Sequence, residues 1–189
     1  MGDDRELLAL IERGEFRAAL TALMTQHGVA VYRFCRQMVR DEALADDVHQ
    51  QVFVQAFRDL PRFERRSALR TWLFGIARHR CLDAVKIEGR RGRRFPLDDE
   101  AGADDSAPGP SVIDRMASAQ LADALEHCLD ELAPGTKSAV LLRYREGLGF
   151  DEMSAMQDEK AGTLQARVAR ALPVLRRCLE RRLKGEEAA

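Results

Sequence analysis

Aromatic residues make up only 6 % of the 189-residue sequence, with one tryptophan and two tyrosines. Alternating apolar and polar runs are nearly absent, which excludes a sheet-based architecture. No apolar run is long enough to span a bilayer, and Met1-Gly2-Asp3-Asp4 lacks the cationic start and apolar stretch of a secretory leader. The expectation is therefore a cytoplasmic protein without membrane insertion. Cys35, Cys81, Cys128 and Cys178 occur without a CxxC pair, each within a helical pattern of apolar residues. They read as reduced core thiols. A zinc site built from His79, Cys81 and Cys35, or a redox pair, needs a spatial proximity that spacing does not supply. His27, His49, His79 and His127 are scattered, and neither a Gly-rich phosphate loop nor a Ser-His-Asp arrangement is present. No enzyme is expected, and no cofactor or metal.

A strong net charge is also missing: 30 Lys and Arg face 31 Asp and Glu, for a formal net charge of -1. That average conceals blocks of opposite sign. From Arg58 to Arg94 the basic residues far outnumber Asp59, Glu64, Asp83 and Glu88. An acidic stretch with Asp98, Asp99, Glu100, Asp104 and Asp105 follows, and positive charge returns from Arg167 to Lys184. Two cationic elements flank an acidic connector.

What the sequence has in abundance is apolar residues at three- and four-residue spacing, so the fold class is all-α: two small helical domains joined by a flexible linker. Leu7, Leu8 and Ile11 predict a short helix ending near Gly14. A longer one carries Leu20, Leu23, Val31, Phe34 and Met38, interrupted but not ended by Gly28. Asp41 is a fitting N-cap for a third helix with the stripe Val48, Val52, Phe53, Ala56, Phe57 and Leu60 before Pro61. Ser67 can cap a fourth, with Leu69, Trp72, Leu73, Ile76 and Ala77 as its buried stripe. From Pro96 to Pro110 periodicity is lost among Asp, Ala, Gly, Pro and Ser, the composition of a flexible linker. Residues 1–95, 96–111 and 112–189 are thus read as domain, linker and domain.

In the second domain Pro134 starts a helix that stops at Gly147. A short helix with Phe150, Met153 and Met156 follows, then the break Asp158-Glu159-Lys160-Ala161-Gly162, then a last helix from Thr163 to Leu183. This is the layout of a helix-turn-helix. Thr163, Arg167, Arg170, Arg177 and Arg181 share one flank of that helix, beside the stripe of Leu164, Val168, Leu172 and Leu175. A cationic flank suits a helix lying in the major groove between rows of phosphates, and a solvated basic face is the plainer reading.

In the first domain Arg62-Phe63-Glu64-Arg65-Arg66-Ser67 is a basic loop feeding a helix with Arg70, Trp72, Phe74, Arg78, His79, Arg80 and Asp83. Cations beside aromatics suit single-stranded DNA, where charge follows the backbone and a planar group stacks on a base. Trp72, on the apolar stripe, reads instead as core. Arg90, Arg91, Arg93 and Arg94 are too dense to serve a core, and phosphate contact is their favoured use. Asp46, Asp47, Gln50 and Gln51 form the polar face of the third helix, either solvated or docked to a partner.

These segments resemble the two sequence blocks of extracytoplasmic-function sigma factors. Ala45-Asp46-Asp47-Val48-His49-Gln50-Gln51-Val52-Phe53 is similar to the family's polymerase-binding stretch, and Arg70-Thr71-Trp72-Leu73-Phe74-Gly75-Ile76-Ala77-Arg78 to its promoter-melting helix. Leu132-Ala133-Pro134, Leu141-Leu142-Arg143-Tyr144, Glu146-Gly147-Leu148, Phe150-Asp151-Glu152 and Gly162-Thr163-Leu164 follow its minus-thirty-five domain. The resemblance implies core RNA polymerase and promoter DNA as partners and admits an anti-sigma protein. It places Asp46, Asp47, Gln50 and Gln51 on the polymerase, and Arg62, Arg65, Arg66, Arg70, Arg78, His79, Arg80 and Asp83 on the minus-ten element. Thr163, Gln165, Arg167 and Arg170 fall at the minus-thirty-five groove. The chain departs from the pattern at Gln51, Asp158, Glu159, Gln165 and Pro173. A stand-alone helix-turn-helix regulator is the alternative function.

Overall fold

The computed structural model describes residues 4–92 and 112–184, so the linker expectation for 96–111 lies outside the described residues. The described residues are helical throughout, with loops between. They form α1 (Asp4–Glu12), α2 (Phe16–Val39), α3 (Glu42–Asp59), a 3-10 turn at Leu60–Arg62 and α4 (Leu69–Gly92). The second group is α5 (Val112–Asp130), α6 (Pro134–Tyr144), α7 (Phe150–Ala155) and α8 (Ala161–Leu183).

The N-terminal domain is a three-helix core of α2, α3 and α4 with α1 laid on α2. Leu23, Val31, Phe34, Val52, Leu60, Leu73 and Phe74 are fully buried there, and each large side chain so removed from water contributes roughly 1.5–3 kcal/mol. Phe34 and Phe74 meet edge to face at 5.7 Å. Gly28 leaves α2 unbroken, as its sequence context predicts. The Asp41 carboxylate accepts from the Leu44 N–H at 2.7 Å and starts α3 as expected. Pro61 lies in the 3-10 turn that stops it. The start of α4 differs by one residue: Trp72 N–H donates to the Ala68 carbonyl at 3.0 Å, so Ala68, not Ser67, occupies the cap position.

In the C-terminal domain α8 is the centre, packed on α5, α6 and α7. Pro134 opens α6, where its missing N–H costs nothing. Gly147, at φ 71, reverses the chain after it in the left-handed region that favours glycine. Pro173 does not end α8, which runs through it to Leu183 with Pro173 on the exposed side.

Two of the cysteines correct the sequence reading. Cys128 of α5 and Cys178 of α8 form a disulfide with a Cα–Cα distance of 5.8 Å. Fifty residues separate them, and only the packing of α5 along α8 brings them together. Cys35 and Cys81 are free and buried, as expected of core thiols. Their hydrogen bond, followed by burial, pushes the Cys81 thiol well above its ordinary value. The zinc alternative does not assemble: His79 is exposed and pairs with Asp83, on a different face of α4 from the buried Cys81.

Candidate nucleic-acid interface

The basic loop before α4 is held from below. Phe63 packs on Trp72 with ring centroids 5.2 Å apart. Arg65, at φ 57, is in the left-handed region and ion-pairs with Glu12 of α1, while Arg66 pairs with Glu64. Arg62 is exposed. Phe74 is fully buried against Phe34, and Trp72, read as core, packs against the core but is only partly buried. Trp72 lines a cleft of about 510 Å³ with Gln55, Ile76, His79 and Arg80. Arg80 donates to Gln55, which in turn donates to Asp59 at 2.8 Å, so α3 sets the direction of the α4 guanidinium. His79 and Asp83 form an exposed pair at 3.3 Å.

The far wall of that cleft is Ala155 and Met156, from the helix-turn-helix of the other domain. Arg70 donates to the Glu146 carboxylate at 2.9 Å, and Thr71 donates to Glu152 at 3.1 Å. The second Glu152 oxygen accepts from the Gly149 N–H at 2.7 Å, so one side chain both caps α7 and ties it to α4. Burial pushes the Glu146 carboxyl above its ordinary range, with Arg70 and Arg145 opposing. Gly75 makes the approach feasible, since a Cβ on it would meet Met156 Cβ at 3.0 Å. Burial also lowers the Arg78 pKa, opposed by Glu159 and reinforced by Arg167. Arg78 Nε and both amide atoms of Gln157 are buried without a protein partner. Such groups cost about 1–3 kcal/mol each when cut off from water.

At the start of α8, Thr163, Gln165 and Arg170 are exposed, while Arg167 is ion-paired with Glu159 in the turn. Glu159, a departure from the family pattern, thus has a definite partner. On α3, Asp46, Asp47, Gln50 and Gln51 share an exposed face. Phe57 does not belong to the buried stripe that spacing gave it: it is 38 % exposed and extends this face with Val54, which is 52 % exposed. His49 anchors α3 to α2 by donating to the Gly28 carbonyl at 3.1 Å between the rings of Tyr32 and Phe53. Arg90 is exposed near the end of α4, which continues helical to Gly92. Arg93, Arg94 and the side chain of Arg91 lie outside the described residues.

Comparison with known proteins matches residues 23–91 to Sigma-70 region 2 and residues 122–172 to Sigma-70, region 4. The RNA polymerase sigma-H factor of Pseudomonas aeruginosa is 30 % identical over 189 aligned positions, covering 94 % of either chain. The chain belongs to the extracytoplasmic-function sigma factors. The ECF RNA polymerase sigma-E factor of Escherichia coli K12 is 28 % identical, covering 89 % of this sigma factor and 90 % of its relative. Among solved structures, CnrH in complex with the cytosolic domain of CnrY is 25 % identical, with a TM-score of 0.66, covering 94 % of this chain and 97 % of that one. The sigma factor RpoE in complex with the anti-sigma factor NepR from Bartonella quintana shares the fold, with a TM-score of 0.68 at 22 % identity over 85 % of this chain and 96 % of that one. As a sigma factor the chain is a transcription initiation factor of RNA polymerase, and the stand-alone regulator is not favoured. No helix among the described residues is long and apolar enough to cross a membrane.

The residues that sequence reasoning missed are those joining the two domains of the sigma factor: Thr71, Gly75, Glu146, Glu152 and Met156. Only Gly75, an isolated glycine inside a strong helical pattern, signals a close approach in advance.

Proposed function

We propose that this sigma factor binds core RNA polymerase through the α3 face, reads and melts the minus-ten element with the loop and outer face of α4, and reads the minus-thirty-five element with the first turns of α8. The polymerase side comprises Asp46, Asp47, Gln50 and Gln51, enlarged by Val54 and Phe57. Aromatic and apolar side chains at the centre of a polar rim are what a protein–protein contact needs. Arg62, Arg65, Arg66, Arg70, Arg78, His79, Arg80 and Asp83 serve the minus-ten element, with Trp72 as a stacking ring. Thr163, Gln165, Arg167 and Arg170 serve the minus-thirty-five groove, and Arg90, Arg91, Arg93 and Arg94 contact phosphate. Residues 1–95 and 112–189 act as the two recognition units, with 96–111 as the linker between them. The protein works in the cytoplasm without catalysis of its own, and a protein of the anti-sigma class is a further partner.

The observation that carries this reading is the start of α8 behind a helix-turn, with Thr163, Gln165 and Arg170 exposed, in the same chain as a helix whose basic loop frames a partly buried tryptophan. One element suits duplex and the other unpaired strand. Transcription reconstituted from core polymerase, this chain and a library of genomic fragments tests it. Initiation from a small set of promoters is expected, lost in an Asp47→Lys, Gln51→Lys, Phe57→Ala variant that remains folded. Sequence-specific duplex binding by the free chain, with no effect on polymerase, would contradict it.

A further inference from the structure

The disulfide ties α5 to α8 near the C-terminal end of α5. Within residues 120–130, Ala124, Cys128 and Leu129 are buried, while Leu121 and Leu125 are 47 % and 39 % exposed. The bond from Cys128 to Cys178 adds a covalent tether to the packing of this end of α5 on α8. Two residues further on, the Asp130 carboxylate holds both Arg40, at the end of α2 in the N-terminal domain, and Lys137 of α6. Lys137 is itself buried, so Asp130 neutralises a charge inside the C-terminal domain and grips the other domain at once. A cleft of about 440 Å³ between the domains is lined by these same groups and by Glu88 and Gly89 of α4. The Cys35–Cys81 contact differs in kind, because it lies in the dense core of α2, α3 and α4 and ties together helices that packing already holds.

We propose that Cys128 and Cys178 are a reversible dithiol–disulfide site that controls closure of the two domains. In the oxidised form α5 is fixed on α8 and Asp130 clamps Arg40. In the reduced form the end of α5 separates from α8, the clamp is lost and the α4 surface beneath α7 is released. The co-reactant is a dithiol of the small-molecule or protein class. Its thiolate attacks one sulfur, the S–S bond breaks to a mixed disulfide, and its second thiol resolves that intermediate. Two electrons and two protons pass to the cysteines, leaving two thiols here and a disulfide on the co-reactant. Exchange in the opposite direction restores the bond. Both sulfurs are buried, so exchange proceeds through local opening of this end of α5, where Leu121 and Leu125 are already exposed.

The test uses the full free chain, without polymerase or DNA, so its outcome is independent of the promoter reading. Alkylation of the denatured, air-purified protein followed by intact-mass measurement should find two modified cysteines, rising to four after dithiothreitol. Small-angle scattering under native conditions should show a larger radius of gyration after reduction. The Cys128→Ser, Cys178→Ser variant should have that larger radius with or without reductant, while Cys35→Ser, Cys81→Ser should respond like the parent. Asp130→Asn, shown to be helical and still disulfide-bonded, should expand without any reduction. Four alkylated cysteines before reduction, or a parent radius that reduction leaves unchanged, overturns the proposal. A folded, bonded Asp130→Asn chain that stays compact overturns the clamp.

Discussion

In the N-terminal domain Leu23, Phe34, Leu73 and Phe74 are withdrawn from solvent and a pair of thiols sits among them unbonded; in the C-terminal domain Ala124 and Leu129 of α5 are buried beside a disulfide to α8. The two domains thus reach order by different means. One has enough apolar surface to fix three helices by packing alone. The other arranges three helices around α8 in fewer residues, and small domains with little core are those that gain most from a covalent staple.

The sharpest break in this comparison should come from the N-terminal core. Phe34→Ala removes a side chain with no exposed surface and its edge-to-face contact with Phe74, and should cost about 3–5 kcal/mol by urea denaturation. The loss should fall on the transition of the N-terminal domain. Reduction, or Cys128→Ser, should cost the C-terminal domain about 2–4 kcal/mol, because the unfolded chain regains the freedom of a long loop. Helix signals from the N-terminal domain should stay in place, as followed by hydrogen exchange. Pro173→Ala should act in the opposite direction. It restores an N–H at an exposed position inside α8 and should stabilise that domain by about 1–3 kcal/mol, visible as a later unfolding transition.

The smallest effect expected is on pH dependence. Burial raises the Glu146 carboxyl in the folded chain, so the folded state holds that proton more tightly than the unfolded one. Its contribution is full below the ordinary glutamate value of about 4.3 and is lost as pH rises through the raised value. His27 in the N-terminal domain has the opposite sign. Burial lowers its pKa, so its contribution is full above about 6.5 and is lost as pH falls through the lowered value. Urea midpoints measured across acid to neutral pH should therefore lose the first slope in Glu146→Gln and the second in His27→Gln. If both variants keep the parent's profile, burial is not the cause of either slope.

Much of the fold is legible in the sequence because it is local. Asp41 caps α3, Pro134 opens α6 and Gly147 closes it, each through a backbone requirement that residue type alone expresses. Side chains at the margin of a stripe are less legible. Phe57 lies one position beyond the buried arc of α3, and Trp72 and Phe74, two residues apart on α4, differ in burial because α2 lies against one and a cleft against the other. The joining of the domains is legible only at Gly75, which marks a close approach without naming its partner. Arg70 and Glu146 are 76 residues apart, and Thr71 and Glu152 are 81 apart. Arg70 reads alone as a DNA contact, and Thr71, Glu146 and Glu152 read as ordinary polar residues, Glu146 in the loop after α6. The same holds for Cys128 and Cys178, whose meeting depends on how α5 lies along α8 and not on spacing.

In the proposed function the α3 face meets polymerase, while the α4 face, covered by the helix-turn-helix in the free chain, is uncovered for promoter DNA. Hydroxyl-radical footprinting of the chain, free and bound to core RNA polymerase, reads both faces through their side chains in one measurement. Phe57 should lose reactivity on binding, while Trp72 and Met156, which share a cleft between the domains in the free chain, should gain it. Unchanged reactivity at Phe57, with Trp72 and Met156 as shielded in the complex as in the free chain, would contradict the account.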